Sequence, residues 1–344
     1  MKFYEVDPCG DSRWERFLQR HPDASIFHTS AWLEALRRTY SYQPVVFSTS
    51  ASGKELESGQ VFCRINSWLT GRRLVSVPFS DHAALLINQA YDLDSLLLHL
   101  QNRVEERDCK YVEIRPLVTD RSYAPFRESG MYYLHRLLLD SDLSSIFRKF
   151  HKSCVQRKIR RAIRERLEYT EGRSERLIQH FHQLLRLTQR RHRLPPQPIS
   201  WFRNLADCLG EDLKVRVASK DGRPIAAMIT LSYKQTMIYK YGCSDARFHN
   251  LGGMSVLFWK TIQEAKSRGF KELDMGRCDL DSPGLGKFKE HWGAERMILK
   301  YQRYPASALS RSTQWELMAA KKIFSLTPTN TLATVGRLLY RHVG

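Results

Sequence analysis

The chain contains no apolar run approaching the ~20 residues that a helix needs to cross a bilayer. Its first residues, MKFYEVDPCGDSRWERF, lack the apolar stretch of a secretory signal. These two absences lead to the expectation of a cytoplasmic protein, with room for peripheral contact at the inner face of the membrane. The seven cysteines, Cys9, Cys63, Cys109, Cys154, Cys208, Cys243 and Cys278, include no Cys-x-x-Cys pair. An odd, scattered set excludes a disulfide framework, so reduced thiols are expected. Of the twelve histidines only His180 and His182 form a close pair, and i,i+2 spacing turns them to different sides of a helix. No metal-ligand spacing is found, and no metal is expected.

What is present fits a two-domain enzyme. With 344 residues, 42% of them hydrophobic, the chain can bury two ordinary cores. Its charge is uneven: 17 basic against 19 acidic residues in 1–146, 33 against 16 in 147–305, and 5 against 1 in 306–344. The excess in the middle segment points to an acidic partner such as a nucleotide, a pyrophosphate-linked precursor, a tRNA or an anionic membrane surface. No nucleic-acid-binding motif accompanies the charge and exposed aromatics are not interleaved with it, so DNA is not expected.

Residues 44–87 break into short β-rich runs (PVVFSTS, QVFCRI, RLVSVPF, AALLI) separated by Ser/Gly/Asn clusters, the pattern of a meander. Residues 93–104 then show helical spacing, and 111–115 read as a strand stopped by Pro116. The second half repeats this order. Residues 213–219 and 224–233 flank the hairpin turn Asp221-Gly222, 236–242 supply a third strand, and 253–268 a helix ended by Gly269. Strands at 271–275 and 296–303 follow. The reading is α+β: two copies of one domain, 1–146 and 147–305, with a tail 306–344.

Between the copies, residues 143–167 are strongly basic, with nine Lys/Arg against one acid in 148–166. Phe147, Phe150, Cys154, Ile159, Ala162, Ile163 and Leu167 fall near one helical stripe, while Lys152, Arg157, Arg160, Arg161 and Arg164 fill the remainder. Such a helix either shields the core with its basic stems or contacts an anion through Arg157, Arg160 and Arg161. Arg190, Arg191, His192 and Arg193 before Pro195-Pro196 read as a rigid basic loop suited to phosphate or carboxylate, or as an ordinary exposed loop.

Residues 251–292 run LGGMSVLFWKTIQEAKSRGFKELDMGRCDLDSPGLGKFKEHW. A Gly-Gly helix start offers free backbone N–H groups and partial positive charge, which suits a phosphate or an activated carbonyl. Asn250, Gly252 and Gly253 are therefore donor-binding candidates. Asp274-Met275-Gly276-Arg277 followed by Gly284-Leu285-Gly286-Lys287-Phe288-Lys289-Glu290-His291-Trp292-Gly293 resembles the signature of the FemAB-like transferases. Phe27-His28-Thr29-Ser30-Ala31-Trp32, residues 74–80 (LVSVPFS) and Tyr239-Lys240-Tyr241-Gly242 fit the same pattern in order.

The resemblance implies two tandem GNAT-like domains with the tail packing back on the first. It also implies direct attack of an acceptor amine on an activated carbonyl, and a lysine, preceded by an aromatic residue, set against the tetrahedral intermediate. Phe288-Lys289 matches that pair, which makes Lys289 the oxyanion candidate and Phe288 a substrate contact; Trp292 is better placed as a core anchor. Tyr241, on the strand before the donor helix, is a hydrogen-bonding or proton-relay candidate, or packing. Asp274 and Arg277 either contact substrate or pair to fix the turn.

Around Asn250 the basic candidates for a pyrophosphate are Arg247 and His249, but the Q/R-x-x-G-x-G/A spacing of coenzyme A-binding loops is missing. No tightly bound cofactor is expected, and the donor is either an aminoacyl-tRNA or an acyl-CoA. The acceptor expected from the resemblance is a nucleotide- or lipid-linked precursor of peptidoglycan or a surface polysaccharide. The alternatives are an acyl-CoA-dependent N-acyltransferase of exopolysaccharide synthesis and a non-catalytic membrane-surface or nucleic-acid-binding protein.

Overall fold

The computed structural model describes residues 2–68, 70–87, 90–118, 121–306 and 340–342. They form two units: among the described residues unit 1 holds those up to Tyr132, 298–306 and 340–342, and unit 2 holds Tyr133–Met297. The sequence placed these limits at 146/147 and 305/306. They fall earlier because two long strands, β6 (Arg127–Leu138) and β12 (Glu295–Tyr304), each run through a boundary.

Unit 1 runs β1 (Tyr4–Val6), α1 (Ser12–Arg20), α2 (Ser30–Tyr40), β2 (Gln43–Ser48), β3 (Gln60–Ser67), β4 (Gly71–Val75), α3 (Ala90–Glu105) and β5 (Tyr111–Ile114). Strands β1 to β4 pair antiparallel in order, β4 pairs parallel with β5, and Gln302–Tyr304 of β12 pair antiparallel with β5. The FHTSAW segment is a helix start: Thr29 caps α2 by accepting from Trp32 N–H (3.3 Å), and Phe27 meets Trp32 edge-on at 4.9 Å. His28 is fully buried, its Nδ1 accepting from Ser25 N–H (3.0 Å) and its Nε2 3.1 Å from the Ala84 carbonyl. Residues 83–87, expected as a strand, are held by isolated bonds such as Ala83 N–H to Arg115 O (2.7 Å) and do not join the ladder.

Unit 2 repeats the order: β7 (Glu168–Gly172), α6 (Glu175–His192), α7 (Ile199–Leu209), β8 (Leu213–Lys220), β9 (Arg223–Tyr233), β10 (Thr236–Ser244), α8 (Gly253–Ser267) and β11 (Glu272–Asp279). It is preceded by α4 (Leu143–Lys149) and α5 (Arg157–Arg164) and followed by α9 (Pro283–Glu290). Its strands lie in the order β6-β11-β10-β9-β8-β7, with β10 and β11 parallel. The β8–β9 turn has Asp221 at φ 50° and Gly222 at φ 72°, the left-handed pair that a two-residue hairpin requires. The core gathers Phe150, Phe258, Met275 and Trp292, all at most 2% exposed. The chain is thus a tandem duplication of one GNAT-type α+β unit.

Three expectations are corrected. Residues 143–167 are not one helix: the chain leaves α4 at Phe150 and re-enters through a π-helical turn, Lys152–Gln156. The break is sealed by Gln156, whose side-chain amide donates to the carbonyls of Phe147 (3.1 Å) and Phe150 (2.9 Å), so the end of α4 is satisfied without a continuous helix. Residues 190–192 are the last turn of α6 and not a loop, with Arg193 its left-handed cap; cations there complement the helix dipole. The glycine-rich segment that carries Phe288-Lys289, which its glycines predict to be a turn, is itself a helix, α9, started by Pro283. Of the tail, 307–339 lie outside the described residues. Tyr340 and His342 lie against unit 1, Tyr42 Oη donating to Tyr340 O (2.8 Å) and Arg73 Nη2 to His342 O (2.6 Å). No helix among the described residues is long and apolar enough to cross a membrane.

Candidate functional site

Strands β10 and β11 pair for three positions, Thr236–Glu272, Met237–Leu273 and Ile238–Asp274, and then part, although β10 continues to Ser244 and β11 to Asp279. A bulge sits in β10 between Tyr239 and Tyr241. Before it, Tyr239 is half-buried against Phe258 of α8, ring centroids 4.6 Å apart. After it, Tyr241 stands on the other face, edge-on to Phe202 of α7 at 5.4 Å, with its hydroxyl accepting from Trp201 Nε1 (2.9 Å). The Tyr239 phenol fills the place of a Cβ at Gly242, 2.0 Å away, which explains why that position carries none. The extra residue also turns Ser244 to the α8 side.

There a cavity of about 230 Å³ opens over the N-terminus of α8. Its walls come from Ile225, Ser244, His249, Gly252 to Ser255, Lys158 of α5 and Phe288 of α9. Gly252, at φ 80°, cannot carry a side chain: a Cβ would lie 2.4 Å from the Lys158 carbonyl. At Gly253 a Cβ would lie 2.9 Å from that of Ala226. The glycine pair thus lets α8 approach α5 and β9 closely, which keeps the amides of its first turn at the cavity floor.

Positive charge converges on this floor. Ser244 Oγ lies 2.8 Å from His249 Nε2, and Thr188 Oγ1 bonds both the carbonyl (3.1 Å) and N–H (3.0 Å) of Ser244, tying the end of α6 to the site. Burial holds His249 below its ordinary pKa, and the charges of Arg191 and Lys158 push it the same way. Helix amides, Lys158 and Arg191 together suit a phosphate or another anionic end of a donor.

On β11 the carboxylate of Asp274, 2% exposed, accepts from Gly276 N–H (2.7 Å) and shapes the left-handed bend at Gly276, φ 74°. Lys289 is equally buried, and its ammonium donates to the carbonyls of Gly276 (2.7 Å) and Arg277 (3.0 Å). It rivets α9 to the part of β11 that has left β10. Burial, with the nearby Lys289 charge, holds His135 neutral beside it. Phe288 meets Phe258 at 5.5 Å and Trp292 at 6.4 Å, and its free side forms cavity wall.

The structure therefore brings together only some of the expected residues. Phe288, Gly252 and Gly253 line the cavity, and Arg191 adds charge beside it; Lys289, Asp274 and Arg277 meet at the end of β11. Asn250 is exposed and is not a lining residue. Tyr241 packs on the α6–α7 face because of the bulge, which the sequence does not announce. Arg190 and Arg193 are exposed, as are Arg157 and Arg160; Arg161 faces Glu165 at 3.5 Å. Arg247 is spent on Asp245, 2.6 Å away. Lys158 is expected from the sequence only as one of the anion-contacting residues of the basic stretch, not at the donor cavity, and Ser244 is not among the site candidates. Nothing separates Lys158 from its basic neighbours except the close approach of Gly252, visible only once α8 meets α5.

Residues 149–290 match the family model of an acetyltransferase (GNAT) domain, and with the duplicated architecture this defines the class by its fold: a tandem GNAT-fold protein with an acetyltransferase-type second unit. Within that class the fold is similar to FemX, with a TM-score of 0.68 at 14% identity over 92% of this chain and 100% of that one. It is also similar to L-PGS from Bacillus licheniformis (0.56, 13%, 92% and 98%) and to a tandem GNAT protein from the clavulanic acid biosynthesis pathway (0.55, 10%, 88% and 97%). No curated protein matches the sequence.

Proposed function

We propose that this protein forms an amide bond between an activated acyl or aminoacyl group, held over the N-terminus of α8, and an amine of an anionic cell-envelope precursor. The observation that carries the reading is the cavity lined by the start of α8 and by Lys158, with the charge of Arg191 acting on its His249, within the acetyltransferase domain. The amine nitrogen adds to the donor carbonyl, the bond from that carbon to the donor sulfur or oxygen breaks, and the proton released from nitrogen leaves with the donor. Lys289, fixed by two backbone carbonyls before substrate arrives, supplies preorganised positive charge for the developing oxyanion. Phe288 forms wall for the donor, and the exposed cations of α5 meet the phosphates of the acceptor or of a charged tRNA. The likeness to FemX and to a synthetase of lysylphosphatidylglycerol supports an envelope acceptor.

Thermal unfolding in the presence of coenzyme A, acetyl-CoA or charged tRNA tests the reading. The true donor at a hundredfold excess over its Kd should add about 2.7 kcal/mol to native-state stability. The shift should shrink in Lys158→Gln and Arg191→Gln. If none of the three raises the melting temperature, the donor assignment fails.

A further inference from the structure

We propose a second site in unit 2, for a borderline-soft divalent cation such as zinc, formed by His151, Cys154 and His291. One ligand atom from each of the three lies within 4.8 Å of the others. The set is two imidazoles and a thiol, the donors that zinc takes in sites with an open fourth position. His151 and Cys154 share one turn as His-x-x-Cys, whereas His291 arrives from the far end of α9, so no sequence spacing reveals the group.

The backbone builds this arrangement. His151 N–H donates to His291 O (2.8 Å), clamping the two segments together and bringing the rings to 4.4 Å between centroids. Cys154 sits in the π-helical turn, where Val155 and Gln156 both donate to the His151 carbonyl (3.0 and 3.2 Å). Such turns occur as single, functionally placed irregularities. Cys154 N–H donates to His151 Nδ1 at 3.2 Å, which selects the tautomer with its proton on Nε2 and turns the Nδ1 lone pair toward Cys154. A metal at Nδ1 takes that lone pair and replaces both this long bond and the contact of Ser153 Oγ, 3.3 Å from the same nitrogen.

The charges of Lys158 and Lys287 act on the His291 ring. The Glu290 carboxylate opposes both, and two neutral imidazoles bring no negative charge to a dication, so the thiolate of Cys154, formed as the metal displaces its proton, is the ligand on which binding turns. None of the three belongs to the donor cavity, but Phe288 and Lys289 lie on the same helix as His291, and Lys158 follows the π turn. An ion there fastens α9 to the start of α5, the two elements that carry the cavity walls.

The experiment uses the full chain, stripped with a chelator and titrated with zinc alone by calorimetry, then loaded with cobalt and read for the thiolate-to-cobalt charge-transfer band. One ion should bind per chain. The band should vanish in Cys154→Ser, affinity should fall at least about tenfold in His291→Ala, and Cys208→Ser should behave as wild type. Zinc should raise the melting temperature of the wild type and not of Cys154→Ser. His151→Gln, at an exposed position, gives the same test without disturbing the core. Absence of stoichiometric zinc binding, or binding unchanged in all three ligand variants, overturns the proposal.

Discussion

Lys289 shows how one side chain serves structure and chemistry together. Its ammonium satisfies two carbonyls away from water, so Lys289→Met removes a charge from the site and leaves those acceptors unmet. Turnover should fall by about 10²–10³-fold, the scale of one lost oxyanion donor, and stability by about 1–3 kcal/mol for the stranded acceptors. Lys287→Met, exposed two residues earlier, should change neither. Equal small losses in both variants, read by kinetics and thermal unfolding, would remove Lys289 from the mechanism. Glycines offer a second comparison at this scale. Gly252 and Gly269 share almost the same φ, 80° and 78°, but a Cβ at Gly252 meets the Lys158 carbonyl at 2.4 Å, whereas at Gly269 nothing lies within 4 Å. Gly269→Ala should cost about 1 kcal/mol of backbone strain. Gly252→Ala should cost distinctly more and weaken donor binding, which urea unfolding and ligand titration would show.

At the scale of elements, α5 is the one whose role charge alone could not decide. Ile159 and Ala162 are buried while Ile163 is 62% exposed, so its apolar stripe is narrower than the periodicity suggested. Arg157 and Lys158 are exposed and have no ion pair among the described residues; Arg160 leans over Phe147 at 5.8 Å. Changing these three to glutamine should weaken binding of a polyanionic substrate and flatten its salt dependence, with the melting temperature nearly unchanged. Loss of fold with unaltered salt dependence would assign α5 to the core. The duplicated strand-helix-strand order was legible because both copies carry alternating apolar runs and the second a left-handed Asp-Gly turn. Helix α9 was not, since glycines at 284 and 286 argue against a helix and only Pro283 argues for one. The Phe288-Lys289 pair could be picked out from its context, but Lys158, Ser244 and the His151–Cys154–His291 group depend on segments far apart in the chain.

For the molecule as a whole, titration runs in one direction. Burial lowers the pKa of His28, His99, His135, His180, His182, His249, His291 and His342. A histidine lowered in the native state binds its proton first in the unfolded chain, so its contribution is complete above about pH 6.5 and lost as pH falls toward the native value. For His28, lowered to about 4, the loss amounts to about 3 kcal/mol between those limits. Carboxylates continue the trend below. Burial raises Glu264, but its bond to Lys214 and the charge of Arg216 outweigh this and hold it at about 2. The melting temperature should therefore drop steadily from pH 6.5 to 4, with a shallower slope in His28→Gln. A flat profile across that window would contradict the burial of these imidazoles.

The bulge at Lys240 has a consequence for how this chain tolerates change in length. It shifts the phase of β10, so Met237 and Tyr239 face α8 whereas Tyr241 and Cys243 face α6 and α7. Deleting Lys240 would join Tyr239 to Tyr241, already the partners of adjacent Thr230 and Ile229 on β9, and so remove the bulge while leaving both ends of the strand on their present faces. Tyr241 would stay on the α6–α7 side and the Ser244 hydroxyl on the cavity side. A single residue inserted after Tyr241, which a surface loop would absorb without effect, would instead turn the residues beyond it to the opposite face and exchange one wall of the donor site.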